Sequence, residues 1–175
     1  VKRPLVDLRH AFALGEYPVE GLFSGEFHVY GQYTRPLGFG TMEIVDGTAY
    51  REMFETAAAG LRLEGEGVRL DNIVVVKGGG RGTGAAYISW DGSYQFNFDG
   101  QRIPVESLAV VQSPNTPPLS GLLDFRAGGS GSFDSPRYEV HATVRDFFVA
   151  DEGIGTVTGD INIANDVMAL KLEAA

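Results

Sequence analysis

At 175 residues the chain has room for one good core, and the usual span of roughly 100–200 residues per domain points to a single β domain over 1–175. A formal charge of −9 and a pI near 4.7 exclude the positive field that a phosphate backbone requires, so no nucleic-acid partner is expected. The absence of cysteine excludes disulfide and thiolate chemistry, and 24 glycines set between short apolar runs, with 11% aromatics, exclude a disordered tail and favour strands joined by tight turns.

The chain opens with Val1-Lys-Arg-Pro-Leu-Val-Asp7, which carries charges where an export signal would have its apolar core. No apolar run approaches the roughly 20 residues that span a bilayer. A first residue other than Met is expected of a portion of something longer, with any targeting segment outside it. The stretch from Tyr50 to Leu63 has helix-favouring residues in Ala57-Ala-Ala59 and Glu55. Its counterpart 100 residues later, Gly153-Ile-Gly-Thr-Val-Thr-Gly159, would make a very poor helix, so both are expected to be extended, with room for a short turn around Ala49 to Met53.

Further along, Gly78-Gly-Gly-Arg-Gly-Thr-Gly84 reads as a hairpin turn. It lacks the Lys-Ser/Thr pair of a phosphate loop and the spacing of a dinucleotide fingerprint, and strands flank it. Tyr94-Gln-Phe-Asn-Phe-Asp99 alternates aromatic and polar residues, the period-2 signature of a half-buried strand. Gly128-Gly-Ser-Gly-Ser132 lacks the closing Gly and the helix of a nucleophile elbow, so Ser130 is expected in a turn. Arg137 to Arg145 alternates again, with Tyr138, Val140, Ala142 and Val144 on one side. Gly159-Asp-Ile-Asn-Ile163 and Val167 to Glu173 continue the pattern, with Asn165-Asp166 as the turn between them.

A repeat runs through these elements without gaps. Gly21, Leu22, Gly31, Pro36, Asp46, Glu52, Thr56 and Leu70 recur 100 residues on as Gly121, Leu122, Gly131, Pro136, Asp146, Glu152, Thr156 and Leu170, and Pro4, Leu8 and Pro18 recur as Pro104, Leu108 and Pro118. Most are the residues that fix turns, so the halves share a turn plan more than a side-chain list. The repeats are placed at approximately 1–76 and 101–175, with an intervening hairpin over 78–100.

About nine or ten strands, each apolar on one side, with no helix to cover that side, must fold the sheet over on itself. The expected fold is all-β: a curled, repeat-built antiparallel sheet forming a groove, or alternatively a closed sandwich or barrel. Gly38, Gly40, Gly84 and Gly159 would permit the bends of a curl. The one constellation that stands out is the apolar set Phe23, Phe27, Met42, Ile44, Leu61, Leu63, Ile88, Trp90, Tyr94, Phe96, Phe98, Phe125, Val140, Val144, Ile161, Ile163, Leu170 and Leu172. By physics alone it serves equally as an ordinary closed core or as an open binding face.

Other chemistry is thin. His10, His28 and His141 are far apart, with His28 and His141 on polar sides beside Glu26 and Glu139, and none has the close spacing of a zinc motif. The pairs Asp151-Glu152 and Glu64-Glu66 lack the pattern of a calcium loop and read as solvated acids. No catalytic centre, metal or cofactor is expected.

The succession Gly67-Val-Arg-Leu-Asp-Asn-Ile-Val-Val-Val-Lys-Gly-Gly-Gly80, Gly84-Ala-Ala-Tyr-Ile-Ser-Trp-Asp-Gly92, Pro118-Leu-Ser-Gly121 and Gly131-Ser-Phe-Asp-Ser-Pro-Arg-Tyr138 resembles the repeats of TamB and AsmA-like proteins. The resemblance covers essentially the whole chain and rests on the order of degenerate markers. It implies an internal segment of a long periplasmic cell-envelope protein, anchored to the inner membrane elsewhere, whose apolar β groove moves phospholipid between membranes and supports outer-membrane assembly. Partners implied are phospholipid or another acyl-chain ligand, neighbouring repeats and outer-membrane assembly proteins. The alternative is a structural or chaperone-like module whose edges pair with strands of outer-membrane proteins.

Overall fold

The computed structural model describes residues 6–7, 19–164 and 167–174. Pro4, Leu8, His10, Pro18 and the expected turn at Asn165-Asp166 lie outside them. The described chain is a single antiparallel sheet whose strands are ordered as in the sequence: β1 (Val6–Asp7), β2 (Val19–Gln32), β3 (Arg35–Ala49), β4 (Glu52–Glu64), β5 (Gly67–Lys77), β6 (Gly80–Ser89), β7 (Ser93–Pro104), β8 (Leu119–Ser132), β9 (Ser135–Val149), β10 (Glu152–Ala164) and β11 (Val167–Ala174). The sheet is not closed, so the curled, open form is the one adopted. Two short 3₁₀ turns, Val105–Ser107 and Ala109–Val111, sit between β7 and β8.

Most strands are long. β3 has 15 residues, about 50 Å at the usual rise of roughly 3.3 Å per residue. Very short connections let neighbours pair over their whole length. β5 passes to β6 through Gly78 and Gly79, at φ +57° and +81°, the pair of left-handed residues of a type I′ hairpin whose twist matches that of the strands. The Glu55 carboxylate caps this turn by accepting from the Gly78 N–H at 2.8 Å. The alanine-rich stretch is strand β4, entered through a turn at Tyr50 and Arg51. Extended pairing with β3 overrides the helix propensity of its alanines.

Strand bounds recur at a spacing of 100 residues. β2, β3 and β4 start and stop 100 residues before β8, β9 and β10. The register shift at Glu20/Leu22 against β3 recurs at Ser120/Leu122 against β9. Left-handed φ angles recur too, at Asp46 and Asp146 and at Tyr50 and Ala150. The β6–β7 hairpin between the copies runs on to Pro104, four residues further than 100, because Ile103 and Pro104 pair with Leu123 and Leu122.

Curl has an identifiable source. Register shifts at Leu70/Ile73 and Gly100/Ile103 each accompany a left-handed residue, Asn72 at φ +51° and Arg102 at φ +53°. Such bulges add twist and bend to the strand that carries them. The glycines expected at bends lie outside the left-handed region and contribute space instead: a Cβ at Gly38, Gly40 or Gly84 would run into the carbonyl of His28, Glu26 or Asn97 on the next strand.

Among the described residues, each strand's close contacts are chiefly with its sequence neighbours. Burial is correspondingly shallow. Among the described residues only Phe23, Ile44, Tyr94, Ile103 and Val105 of the hydrophobic side chains are buried, and none is wholly so. Phe23 and Ile44 form a buried cluster, with Val19, Met42, Phe54 and Ala57 against it.

Candidate functional site: an apolar face across the sheet

Directly opposed residues of antiparallel strands point to the same side, so the register identifies every member of a face. One row runs Phe23, Ile44, Ala57, Val75, Gly82, Gly100, Phe125, Ala142, Gly159, Leu172 across β2 to β11. A second runs Phe27, Gly40, Leu61, Leu70, Ala86, Phe96, Gly129, Tyr138, Ile163, Met168 over the same ten strands. Between them lie Met42 and Ala59, paired on β3 and β4, and the line Gly84, Phe98, Ala127, Val140, Ile161, Leu170. A fourth row holds Val29, Gly38, Leu63, Val68, Ile88, Tyr94, Gly131 and Pro136. None of these rows contains a charged residue, and the only polar side-chain atoms in them are the hydroxyls of Tyr94 and Tyr138.

The structure therefore brings Phe23, Phe27, Met42, Ile44, Leu61, Leu63, Ile88, Tyr94, Phe96, Phe98, Phe125, Val140, Ile161, Ile163, Leu170 and Leu172 together on one face. Val144 joins them through its pairing with Leu123 and Val157, two residues along from Ala142. Trp90 is the exception. It sits in the turn after β6, where its indole N–H donates to the Gly65 carbonyl at 3.0 Å, so it fastens two turns at the sheet's rim and adds no residue to the rows.

Glycine makes the face smooth. Phe98 lies across Gly82, Phe125 across Gly100 and Phe96 across Gly129, each ring filling the space of the missing side chain. Large rings beside absent side chains let a single layer bury part of each ring without a second sheet. This explains the correction at Ser130. The segment 128–132 is the end of strand β8, with Ser130 paired to Gln95 and Arg137, because its glycines accommodate rings of β7 and β9.

At one end of the face the rings gather. Tyr94 lies 5.4 Å from Phe133, 6.0 Å from Tyr138 and 6.3 Å from Phe96, centre to centre. Together with Ala86 and Ile88 they line a mostly apolar hollow of about 260 Å³. The Tyr94 hydroxyl accepts from the Arg137 N–H at 3.3 Å, and its hydrogen bond to Tyr138 raises the Tyr138 phenol above its ordinary range. Tyr138 and Phe133 were not in the predicted set. Tyr138 shared the alternation of Val140 and Val144 and so was findable; Phe133, in a turn, carried no periodic signal.

The opposite face carries cross-strand charge pairs, together with exposed Tyr30, Leu37 and Phe39 on β2 and β3. Arg62 bonds Asp71, Arg69 bonds Glu64, Asp99 bonds Arg126 and Arg145 bonds Asp124 across neighbouring strands. The Arg69 guanidinium also lies over the Tyr87 ring, 5.0 Å from its centre, and its hydrogen bond holds Glu64 below the usual carboxylate range. His141 pairs with Asp160 of the next strand at 2.6 Å, and not with its chain neighbour Glu139, whose side chain sits two residues along on the same face. His28 is 3.4 Å from Glu26 and stacks on Phe39. Glu66 of the predicted acidic pair bonds Arg35 at 2.9 Å. Among the described residues no three His, Asp or Glu side chains gather to hold a metal ion, and no helix is long and apolar enough to cross a membrane. No family model, curated protein or solved structure matches the chain.

Proposed function

We propose that this chain is a non-catalytic segment of a TamB or AsmA-like cell-envelope protein whose apolar face shelters the acyl chains of phospholipids. The single observation behind this reading is the set of charge-free rows that cross up to ten strands of a sheet that is not closed. A face of that extent is costly to leave against water, and each methylene moved from water onto it gains roughly 0.8 kcal/mol. An acyl chain is the ligand whose length and lack of polarity match such a trough. The charge pairs on the other face favour contact with water on that side of the sheet. In this reading the segment works in the periplasm, continuous with neighbouring repeats of an inner-membrane-anchored protein, and serves lipid movement between membranes and outer-membrane assembly.

Native mass spectrometry with solvent extraction of the chain purified from bacterial membranes tests the reading. Stoichiometric phospholipid or fatty acid is the expected result. A protein that is empty on purification and ignores added lipid would overturn it.

A further inference from the structure

On the face that carries the charge pairs, a hollow of about 560 Å³ opens over β7, β8 and β9. Arg102, Arg126 and Arg145 line it together with Asp99 and Asp124. Three guanidiniums against two carboxylates leave one positive charge in excess, in a chain whose formal charge is −9. Asp99 accepts from the Arg126 Nε–H at 2.9 Å, and Asp124 accepts from Arg145 and, at 2.8 Å, from the Arg102 backbone N–H. Among the described residues no carboxylate pairs with the Arg102 guanidinium.

Two observations set these residues apart from an ordinary lattice of surface charges. Arg102 sits at φ +53° in the bulge of β7, whereas the similar bulge of β5 holds Asn72, a residue type that tolerates left-handed backbone far better. A bulge re-aims the side chain it carries, and a strained position held by a charged hydrogen bond is characteristic of binding sites. The strand plan does not demand the basic residues either. At the same places on β2 and β3, 100 residues earlier, Arg126, His141, Thr143 and Arg145 are replaced by Glu26, Thr41, Glu43 and Val45.

We propose that this hollow binds a phosphate group. Each guanidinium carries five N–H donors in a planar fork, and the neighbouring carboxylates engage only part of them. Arg126 meets Asp99 through Nε, which leaves its terminal N–H groups for a ligand. His141 meets Asp160 through Nδ1, which leaves Nε2, and the Thr143 hydroxyl lies on the same strand. A tetrahedral oxyanion presents oxygens in several directions and so bridges guanidiniums that stand on three different strands, with charge-assisted bonds to each. The inference rests on the charged face and is independent of the acyl-chain reading.

The test is an NMR titration of the chain with inorganic phosphate at constant ionic strength, following the amides of β7 to β9 and the arginine Nε–H signals. Saturable shifts confined to the lining of the hollow are the expected result. Arg102→Gln is expected to weaken binding at least about tenfold, the loss of one charged hydrogen-bonding group. Arg35→Gln removes the same charge from the pair with Glu66, outside the hollow, and is expected to leave binding unchanged. Arg126→Gln, at an exposed strand position, repeats the test should Arg102→Gln fail to fold. Shifts that rise linearly with phosphate, or equal weakening by Arg102→Gln and Arg35→Gln, would overturn the proposal. Two further arms locate the source of the phosphate. Saturation by glycerol 3-phosphate with no sedimentation on phosphatidylglycerol vesicles supports a soluble phosphate ester; sedimentation that inorganic phosphate reverses and Arg102→Gln abolishes supports a lipid headgroup.

Discussion

Phe125 lies across Gly100, its partner on the adjacent strand, and the ring occupies the volume that a side chain on Gly100 would need. Phe96 likewise covers its partner Gly129, and Phe98 covers Gly82, two residues along from its partner Gly84. The glycines of this sheet are thus packing positions as well as turn positions. Gly100→Ala forces the Phe125 ring off the sheet and is expected to destabilise the fold by about 1–3 kcal/mol, the usual range for overpacking, with a lower urea midpoint and an unchanged m-value. A control at Gly79, where a Cβ would meet nothing within 4 Å but φ is +81°, separates steric overlap from backbone strain.

A charge placed on the apolar face is expected to abolish lipid retention while leaving the fold in place. Phe96→Asp and Phe125→Asp both sit in the charge-free rows, on side chains that are only partly buried. Thr143→Ala, on the charged face opposite Asp124 and Thr158, is expected to keep lipid and to shift stability by less than about 0.5 kcal/mol. Native mass spectrometry and circular dichroism of the three variants check this; retention of lipid by folded Phe96→Asp and Phe125→Asp would place the ligand elsewhere.

The turn between β6 and β7 should respond to acid. Asp91 accepts from the Ser89 hydroxyl at 2.6 Å and from the N–H and hydroxyl of Ser93 at 2.9 and 2.7 Å, and these bonds hold its carboxyl at about 2. A folded value below the unfolded one means that the carboxylate supports the turn above the unfolded value and loses that support as pH falls toward 2. A carboxyl titration by NMR is expected to find Asp91 well below ordinary Asp. Exchange of the Ser93 amide is expected to accelerate, relative to other amides, as pH falls from about 4 to about 2. Asp91→Ala should show no such acid step.

Trp90→Phe tests the fastening at the rim. It keeps an aromatic ring but removes the indole donor to the Gly65 carbonyl, and it is expected to cost about 1 kcal/mol. Lipid retention should be unaffected, since Trp90 lies outside the rows. A loss of lipid with unchanged stability would return Trp90 to the binding face.

Much of this architecture is legible along the chain. Alternation in stretches such as Tyr94 to Asp99 and Arg137 to Arg145 identifies strands and their apolar sides, because the pleat turns every second side chain the same way. The spacing of 100 between Gly21 and Gly121 or Asp46 and Asp146 marks the shared turn plan, because left-handed and bulged positions restrict the residues that fit them. Trp90 and Ser130 were misplaced for complementary reasons. Period two continues past the end of β6 although the strand does not, and a glycine run reads as a turn when its rings lie on other strands.

What pairs with what was decided only in three dimensions. That His141 takes Asp160, that Phe125 covers Gly100 and that the sheet stays open follow from cross-strand register and from bulges at Asn72 and Arg102. Single-strand periodicity contains none of these, since it fixes the side on which a residue lies and leaves its neighbour on that side unspecified. The sequence by itself determined an all-β chain with an apolar side to its strands; the tertiary structure decided that the described strands form one sheet that does not close, because each pairs with its neighbours in sequence order.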